Sequence, residues 1–435
     1  METHDPTPLK NEYDVIVAGA GSAGVAAAVA CAREGLNTLL IEKNSRPGGN
    51  VAEAMVHSIC GLYRISPDAI PRLVNGGFAM EFTEKLINCG AASGPIRMER
   101  MDVLLQEPAL FSGLCADLCV REKRLTTVFD ARLEEVEGMD NHLTGVRISQ
   151  HPEMINASAF IDTTGEAALA FLSGATIEDP PPSQLRRPSY IFSIGEVAID
   201  AVNEEGRLNF SRKVVEGIRD GELDPQLAAA LLLPTPVLGK VSIAIDIEAE
   251  ADHYSPFNPE CLTRLQIVGH TLALQLELHL RRSVKGFENC VITGLPAQLG
   301  IREGRRIPGR YQITGQDVLE GKVFEDTVCL SAWPVELRDS ARGPKFKYPA
   351  HDKPCGIPLR ALLSRDLGNL LMAGRCVSST HEAHGALRVV GTCLAMGQAA
   401  GLAAASMLRS PGKTILPGEE TSTAEPIRAT VLAGI

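Results

Sequence analysis

The chain has 435 residues, 45% hydrophobic and 22% charged, with a net charge of −11. These proportions suit a soluble globular protein with room for two or three domains, and they argue against disorder. The acidic balance argues against nucleic acid or an anionic membrane surface as a partner.

The first predicted element is a strand, Val15 to Ala18, which runs directly into a glycine turn. Gly19, Gly21 and Gly24 give the spacing G-x-G-x-x-G, and the alanine-rich segment Ala23 to Glu34 has the composition of a helix that Gly35 ends. A second strand, Thr38 to Ile41, delivers Glu42 about twenty residues beyond the turn. In such a unit Gly19 permits the turn, Gly21 lets backbone approach a pyrophosphate and Gly24 lets helix lie close on strand. Ser22 and Ala23 open the helix, whose unpaired N–H groups favour the phosphates, while Glu42 meets a pair of ribose hydroxyls. Val15 to Ala32 is uncharged and near the length of a membrane span. Glycines at turn spacing and alanine in place of leucine favour a buried strand–helix unit.

Lys43 to Asn50, KNSRPGGN, is a loop whose Gly48-Gly49 pair reads equally as a flexible turn or as close backbone approach to the same ligand. Val51 to Tyr63, with His57 and Cys60 as its reactive residue types, reads either as a packed connector or as part of the surroundings of the same ligand. Helices are predicted over Ile70 to Cys89 and Met101 to Val120. In the second, Cys115 and Cys119 share a face and read as core, since no further metal ligand lies nearby. Thr126 to Asp130, Arg132 to Val136 and Leu143 to Ile148 suggest an antiparallel meander. Ala159 to Asp162 is predicted as a strand, and Thr163-Thr164-Gly165-Glu166 as a tight turn into a helix over Ala167 to Leu172.

The proline run at Asp179 to Ser183 marks a domain edge. Beyond it, the region from about 185 to 295 has strands at Ser189 to Ile194 and Val241 to Ile247 and a helix at Pro259 to Val284, and reads as an inserted substrate domain. Gly300 to Ile307, GIREGRRI, is either a solvated charged turn or the source of an arginine, Arg302 or Arg305, that meets a carboxylate or a reduced cofactor. The last block, Asn369 to Ala405, gives a strand Leu370 to Ala373, a turn at Gly374-Arg375 and a long helix, Val390 to Met407, that carries Gly397, Gln398 and Ala399. Val389 to Leu408 is again uncharged, but its glycine, alanine and glutamine fit a helix packed beside a cofactor. The eleven cysteines, scattered from Cys31 to Cys393 without C-x-x-C pairs, suit a reducing compartment. No secretory signal is read in METHDPTPLKNEYD, so a cytoplasmic location is expected.

The strand, the G-x-G-x-x-G helix, Glu42 and the Gly48-Gly49 loop, in this order, resemble the FAD-dependent oxidoreductases of the glutathione-reductase and fumarate-reductase type. Asp162 to Ala167, with its D-x-T-G-x-A pattern, is similar to the turn beside the adenosine in those proteins. Ala373-Gly374-Arg375 and the helix with Gly391, Gly397, Gln398, Ala399 and Gly401 are similar to the part that closes the flavin site. The arginine-rich segment with Thr314 to Val318 resembles a bacterial family described only as FAD-dependent oxidoreductase. The resemblance implies an α/β fold, α+β overall, with a Rossmann-like FAD-binding domain assembled from discontinuous segments. Residues 1–180 and 296–412 would form that domain, 181–295 an inserted substrate or cap domain, and 413–435 a tail. FAD would be held by Gly19, Gly21, Ser22, Ala23, Gly24, Glu42, Lys43, Gly48, Gly49, Asn50, Thr164, Gly165, Gly374, Arg375, Gly397, Gln398 and Ala399.

The activity so implied is hydride transfer between a small organic substrate and flavin N5, with an external electron acceptor or donor whose identity the sequence does not give. An NAD-dependent dehydrogenase would complete its sheet with a contiguous second half, whereas here the cofactor signals recur near 162 and 374. A flavin-fold binding protein without chemistry is the other alternative, and the intact Gly21, Glu42, Gly374 and Gln398 speak against it. His381 and His384 are candidates for the proton partner, each also readable as a buried structural histidine and His381 as a covalent flavin attachment point. Arg388 is the first candidate for positive charge near flavin N1 and O2, with Arg360 second and Arg302 a further catalytic candidate.

Overall fold

The strand that holds the fold together begins earlier than its apolar run. In the computed structural model, which describes residues 9–68, 70–249, 254–338 and 343–435, β1 (Glu12–Ala18) pairs in parallel with β2 (Thr38–Ile41). Its Val15-Ile16-Val17-Ala18 run is buried throughout, as a parallel strand covered on both faces requires. β3 (Leu125–Val128) adds a further parallel strand on the far side of β2. β4 (Leu133–Met139), β5 (His142–Ile148) and β6 (His151–Asp162) form an antiparallel meander. The second half of β6 then leaves it and lies parallel to both β1 and β7 (Leu370–Met372). Val15 thus faces Ala159, and Phe160 faces Leu370, within one sheet.

Two local expectations are corrected here. Thr126 to Asp130 was expected in the meander but belongs to the parallel edge, because the exposed side of β2 needs a ladder partner and alternation does not distinguish parallel from antiparallel pairing. Met101 to Val120 is not one helix: Met101–Gln106 is a fully buried strand, and the helix runs over Pro108–Arg121. Proline at the first helical position starts a helix and disfavours helical backbone in the residue before it, so the break falls at Glu107.

Helix α1 (Ser22–Arg33) follows the glycine turn, and the four-residue α2 (Asn50–Glu53) follows the Gly-Gly loop. A second apolar core draws on residues between Leu185 and Leu299. It lies between α3 (Pro259–Ser283) and an antiparallel sheet of Leu231–Pro234, Val241–Asp246, Ser189–Gly195 and Val291–Gly294, in that spatial order. Asn258 caps α3 by accepting from the Cys261 N–H at 2.9 Å.

The chain then returns to the first core through α4 (His381–Leu387) and α5 (Val390–Arg409). By length and composition α5 could cross a membrane, yet 83% of its apolar window is buried. It packs against α1 through small residues: a Cβ on Gly397 would lie 2.1 Å from the Ala23 carbonyl oxygen. Residues beyond 413 form a further helix, Glu420–Val431, whose Ala424, Ile427 and Val431 are buried.

Candidate cofactor site

The parallel strands converge on one cavity of about 700 Å³. Gly19 follows β1, Glu42 follows β2, Thr163 follows β6 and Gly374 follows β7 closely, and all four line it. A crevice outside the carboxyl ends of parallel strands is where doubly wound sheets bind ligands. The opposite wall comes from the second core, including Phe257, Leu262 and Gln266 at the start of α3 and Gln298 and Leu299 beyond the last strand. The walls are tied together where Asn50 Nδ2 donates to the Ile301 carbonyl at 2.8 Å and the Gln298 N–H to the Glu53 carbonyl at 3.2 Å.

Gly19 has φ +95°, and a Cβ there would sit 2.7 Å from the Thr163 carbonyl oxygen, so the turn admits only glycine. Gly21 differs: its φ is −69°, which suits any residue, and a Cβ would meet nothing within 4 Å. It opens into the cavity. Gly21 is also the N-cap of α1 and offers no side-chain cap, so the first N–H groups of that helix are left for a ligand. At the far end Val389 begins α5 without a side-chain cap, although the Gly391 N–H donates to the Cys60 carbonyl at 2.9 Å, and Arg388, Val390 and Cys393 line the cavity. Glu42 accepts from the Ala20 N–H at 2.7 Å and from the Asn44 N–H at 2.9 Å, and burial raises its carboxyl pKa against those hydrogen bonds.

These features fit FAD. The diphosphate needs uncapped N–H groups and a side chain no larger than hydrogen, which Gly21 and α1 provide. The ribose diol needs an oriented acceptor, which Glu42 provides. The ring needs positive potential, available from Arg388 and the start of α5.

Ser22, Ala23, Lys43, Gly48, Gly49, Asn50, Thr164, Gly165, Gly374 and Arg375 line the same cavity. Gly165 has φ +73°, and the Arg375 guanidinium fills the place of its side chain. Four of the expected ligand residues are elsewhere. Gly24 packs on the turn itself, with a Cβ 1.7 Å from the Gly19 carbonyl oxygen. Gly397 and Ala399 are helix-packing residues, and Gln398 Oε1 accepts from the Phe78 N–H at 2.9 Å.

Of the catalytic candidates only Arg388 lines the cavity. His384 is fully buried, with Nε2 donating to the Arg375 carbonyl at 3.1 Å and Nδ1 3.4 Å from Arg186. Burial first, then the neighbouring arginines, keeps it neutral. His381 is committed to Glu303 at 3.0 Å, and it does not line the cavity as a flavin attachment point would. Arg302 is held by Asp246 at 2.7 Å, and burial lowers its pKa to about 10. Arg360 pairs with Asp326 at 2.9 Å. Helix α4 turns both histidines toward a buried ionic cluster, in which Glu303 also accepts from Arg186 and Arg306, each at 2.7 Å. Burial opposes ionisation of Glu303, but the hydrogen bond from His381 and the charge of Arg186 outweigh it and hold the carboxyl at about 2.

His57 is buried, and neither ring nitrogen has a hydrogen-bond partner among the described residues. Burial lowers its pKa to about 4. The unfolded chain takes up the proton first, so the stability this neutral histidine permits is full above about pH 6.5 and falls away as pH drops toward 4, by roughly 3 kcal/mol. His57→Leu is expected to flatten the melting temperature between pH 6.5 and 4 without lowering it at pH 7.5. Burial also lowers the His384 pKa well below its ordinary value, so its protonation in the unfolded chain leaves some slope in the variant. An unchanged slope in the variant would refute the assignment.

A search of curated proteins finds no match to this sequence. Among solved structures, a geranylgeranyl bacteriochlorophyll reductase-like protein from Thermoplasma acidophilum is 12% identical, with TM-score 0.47, over 97% of this chain and 84% of that one. A p-nitrophenol 4-monooxygenase from Pseudomonas putida is 11% identical, with TM-score 0.48, over 97% of this chain and 89% of the other. The flavin-dependent brominase Bmp2 is 12% identical, with TM-score 0.48, over 92% and 80%. The pattern described as FAD dependent oxidoreductase matches residues 14–414, nearly the whole described fold and every residue of the cavity, and the chain belongs to that family.

Proposed function

We propose that this FAD-dependent oxidoreductase exchanges a hydride between a small organic molecule and N5 of the flavin. The observation that carries the reading is one cavity with the uncapped N-terminus of α1 and open space at Gly21 at one end, and Arg388 with the start of α5 at the other. When bound, FAD supplies a two-electron acceptor and donor. The N–H groups opening α1 bind the diphosphate, and Glu42, fixed by Ala20 and Asn44, accepts from the ribose hydroxyls. Arg388 and the positive end of α5 favour negative charge gathering on the ring, and the wall from the second core keeps water from it.

The test is the visible spectrum of the purified protein before and after acid precipitation, followed by anaerobic mixing with candidate donors and acceptors. Yellow protein that releases FAD and whose flavin band bleaches with an organic donor supports the reading. A colourless protein that takes up no added FAD would overturn it. A holoprotein reduced by dithionite yet inert to every organic donor and acceptor would remove the hydride exchange.

Arg305 bears on how the flavin is kept. Its guanidinium lies 4.0 Å from the ring centroids of both Phe171 and the cavity-lining Phe257, and its Nε lies 3.3 Å from Asp179. It clasps the two walls. Loss of two such stackings is worth about 1–2 kcal/mol, so Arg305→Ala is expected to weaken FAD binding about 5- to 30-fold in a flavin-fluorescence titration. Arg305→Lys, which keeps charge but not the flat face, should behave nearly as Ala. Unaltered affinity in both variants would show that the clasp is idle.

A further inference from the structure

Arg388, the C-cap of α4, lines the ring end of the cavity with its donors largely unspent. A guanidinium can donate five hydrogen bonds. Here Nη2 stands 3.5 Å from Glu336 Oε2, an oxygen that already accepts from Trp333 Nε1 at 3.0 Å. Arg388 Nε is buried and has no partner among the described residues. Glu336 is further claimed by Arg338, which also reaches Asp246 at 2.8 Å, and Asp246 is shared with Arg302 at 2.7 Å. Both carboxylates are therefore committed before Arg388 is served. Among the described residues of this cluster, three guanidiniums stand against two carboxylates.

A third guanidinium beside two committed carboxylates is costly unless negative charge arrives with a ligand. The oxidised flavin ring offers Arg388 acceptor atoms but no charge, and the diphosphate belongs at Gly21, so FAD leaves that excess uncancelled. We infer that the substrate is an anion, a small molecule with a carboxylate that Arg388 meets with its outer Nη groups, Nε being buried out of reach, its apolar body lying against Ala297 and Leu299. The paired geometry of carboxylate oxygens matches the guanidinium fork. The inference rests on the FAD reading above and names the substrate class for that same site.

The experiment titrates the yellow holoprotein with acetate, benzoate and succinate, and with benzamide as the neutral counterpart, while following the flavin band. Carboxylates are expected to perturb the band with saturation and benzamide to leave it unchanged. Arg388→Met, reconstituted with saturating FAD, should lose carboxylate affinity about 10- to 100-fold. Arg388→Lys, which keeps the charge and loses the fork, should fall between. The wild-type comparison of benzoate with benzamide needs no variant to fold. A yellow protein that answers to neither, or to both alike, would overturn this inference alone, and so would an Arg388→Met protein that binds benzoate as before. A variant that loses FAD affinity while the wild type fails to tell benzoate from benzamide would assign Arg388 to the flavin ring and overturn it as well. A colourless wild-type protein would overturn the FAD reading together with it.

Discussion

Gly21→Val is expected to yield a folded protein that purifies without colour. The backbone at Gly21 is extended, with φ −69° and ψ −177°, so valine adds no strain, and its Cβ meets no protein atom within 4 Å. What the side chain does enter is the space that a diphosphate needs at the start of α1. Loss of at least 100-fold in FAD affinity, about 3 kcal/mol, should follow. The variant's melting temperature should match that of wild-type apoprotein and fall below the holoprotein, since ligand stabilisation alone has gone. Gly24→Val is the contrasting case: its Cβ would lie 1.7 Å from the Gly19 carbonyl oxygen, so the fold itself should fail. A Gly21→Val protein carrying a full complement of flavin would end the assignment of the phosphate site.

The second large effect is expected at Glu303, away from the cavity wall. It is fully buried and accepts from Arg186 and Arg306 at 2.7 Å and from His381 at 3.0 Å. Removing one partner of a buried ionic group leaves the others charged in a poor solvent, at a cost of about 3–5 kcal/mol. Glu303→Gln should therefore lower the urea midpoint strongly at pH 7, because an amide cannot balance two guanidiniums. The sign with pH follows from a folded pKa of about 2, depressed below the ordinary value. The stabilisation is complete above about pH 4.5 and is lost as pH falls through 2. The difference between wild type and variant should hardly change from pH 8 to 5 and should narrow below 4.5. Equal midpoints at pH 7 would mean that the cluster contributes nothing to stability.

The cavity lining at the proposed phosphate end was legible because its requirements are local. Gly19 and Glu42 follow strands directly, Gly21 and the Gly48-Gly49 loop lie a few residues further on, and the spacing that brings them together lies in the sequence itself. Gly374 and Arg375 were legible for the same reason, at the end of β7. The far wall was not. Phe257, Gln266 and Gln298 reach the cavity only because a separate core docks there, and no periodicity in α3 distinguishes a wall from a packed face. The histidines were misread for a related reason: a titratable residue close to a cofactor motif in sequence was taken as close in space. Thr380 caps α4 by accepting from the Ala383 N–H at 3.4 Å, and that helix turns His381 and His384 toward Glu303. Gln398 likewise sat in the right pattern but faces Phe78 instead. Met101 to Gln106 was read as helix because its leucines also fit a period of 3.6, and only Pro108 signals the break.

The position of β7 and α5 has a consequence for biosynthesis. The sheet acquires β7, and α1 acquires its packing partner, only from residues that follow the whole second core. A ribosome adds about 5–20 residues each second, so for many seconds the glycine turn is already outside the exit tunnel while the groups that complete the cavity have yet to be made. During that interval the small-residue face of α1 is bare and no cofactor can steady it. Flavin supply therefore cannot rescue an unfinished chain. It acts on the released polypeptide, and scarcity of the vitamin should show as a build-up of full-length, protease-sensitive apoprotein and not as truncated fragments.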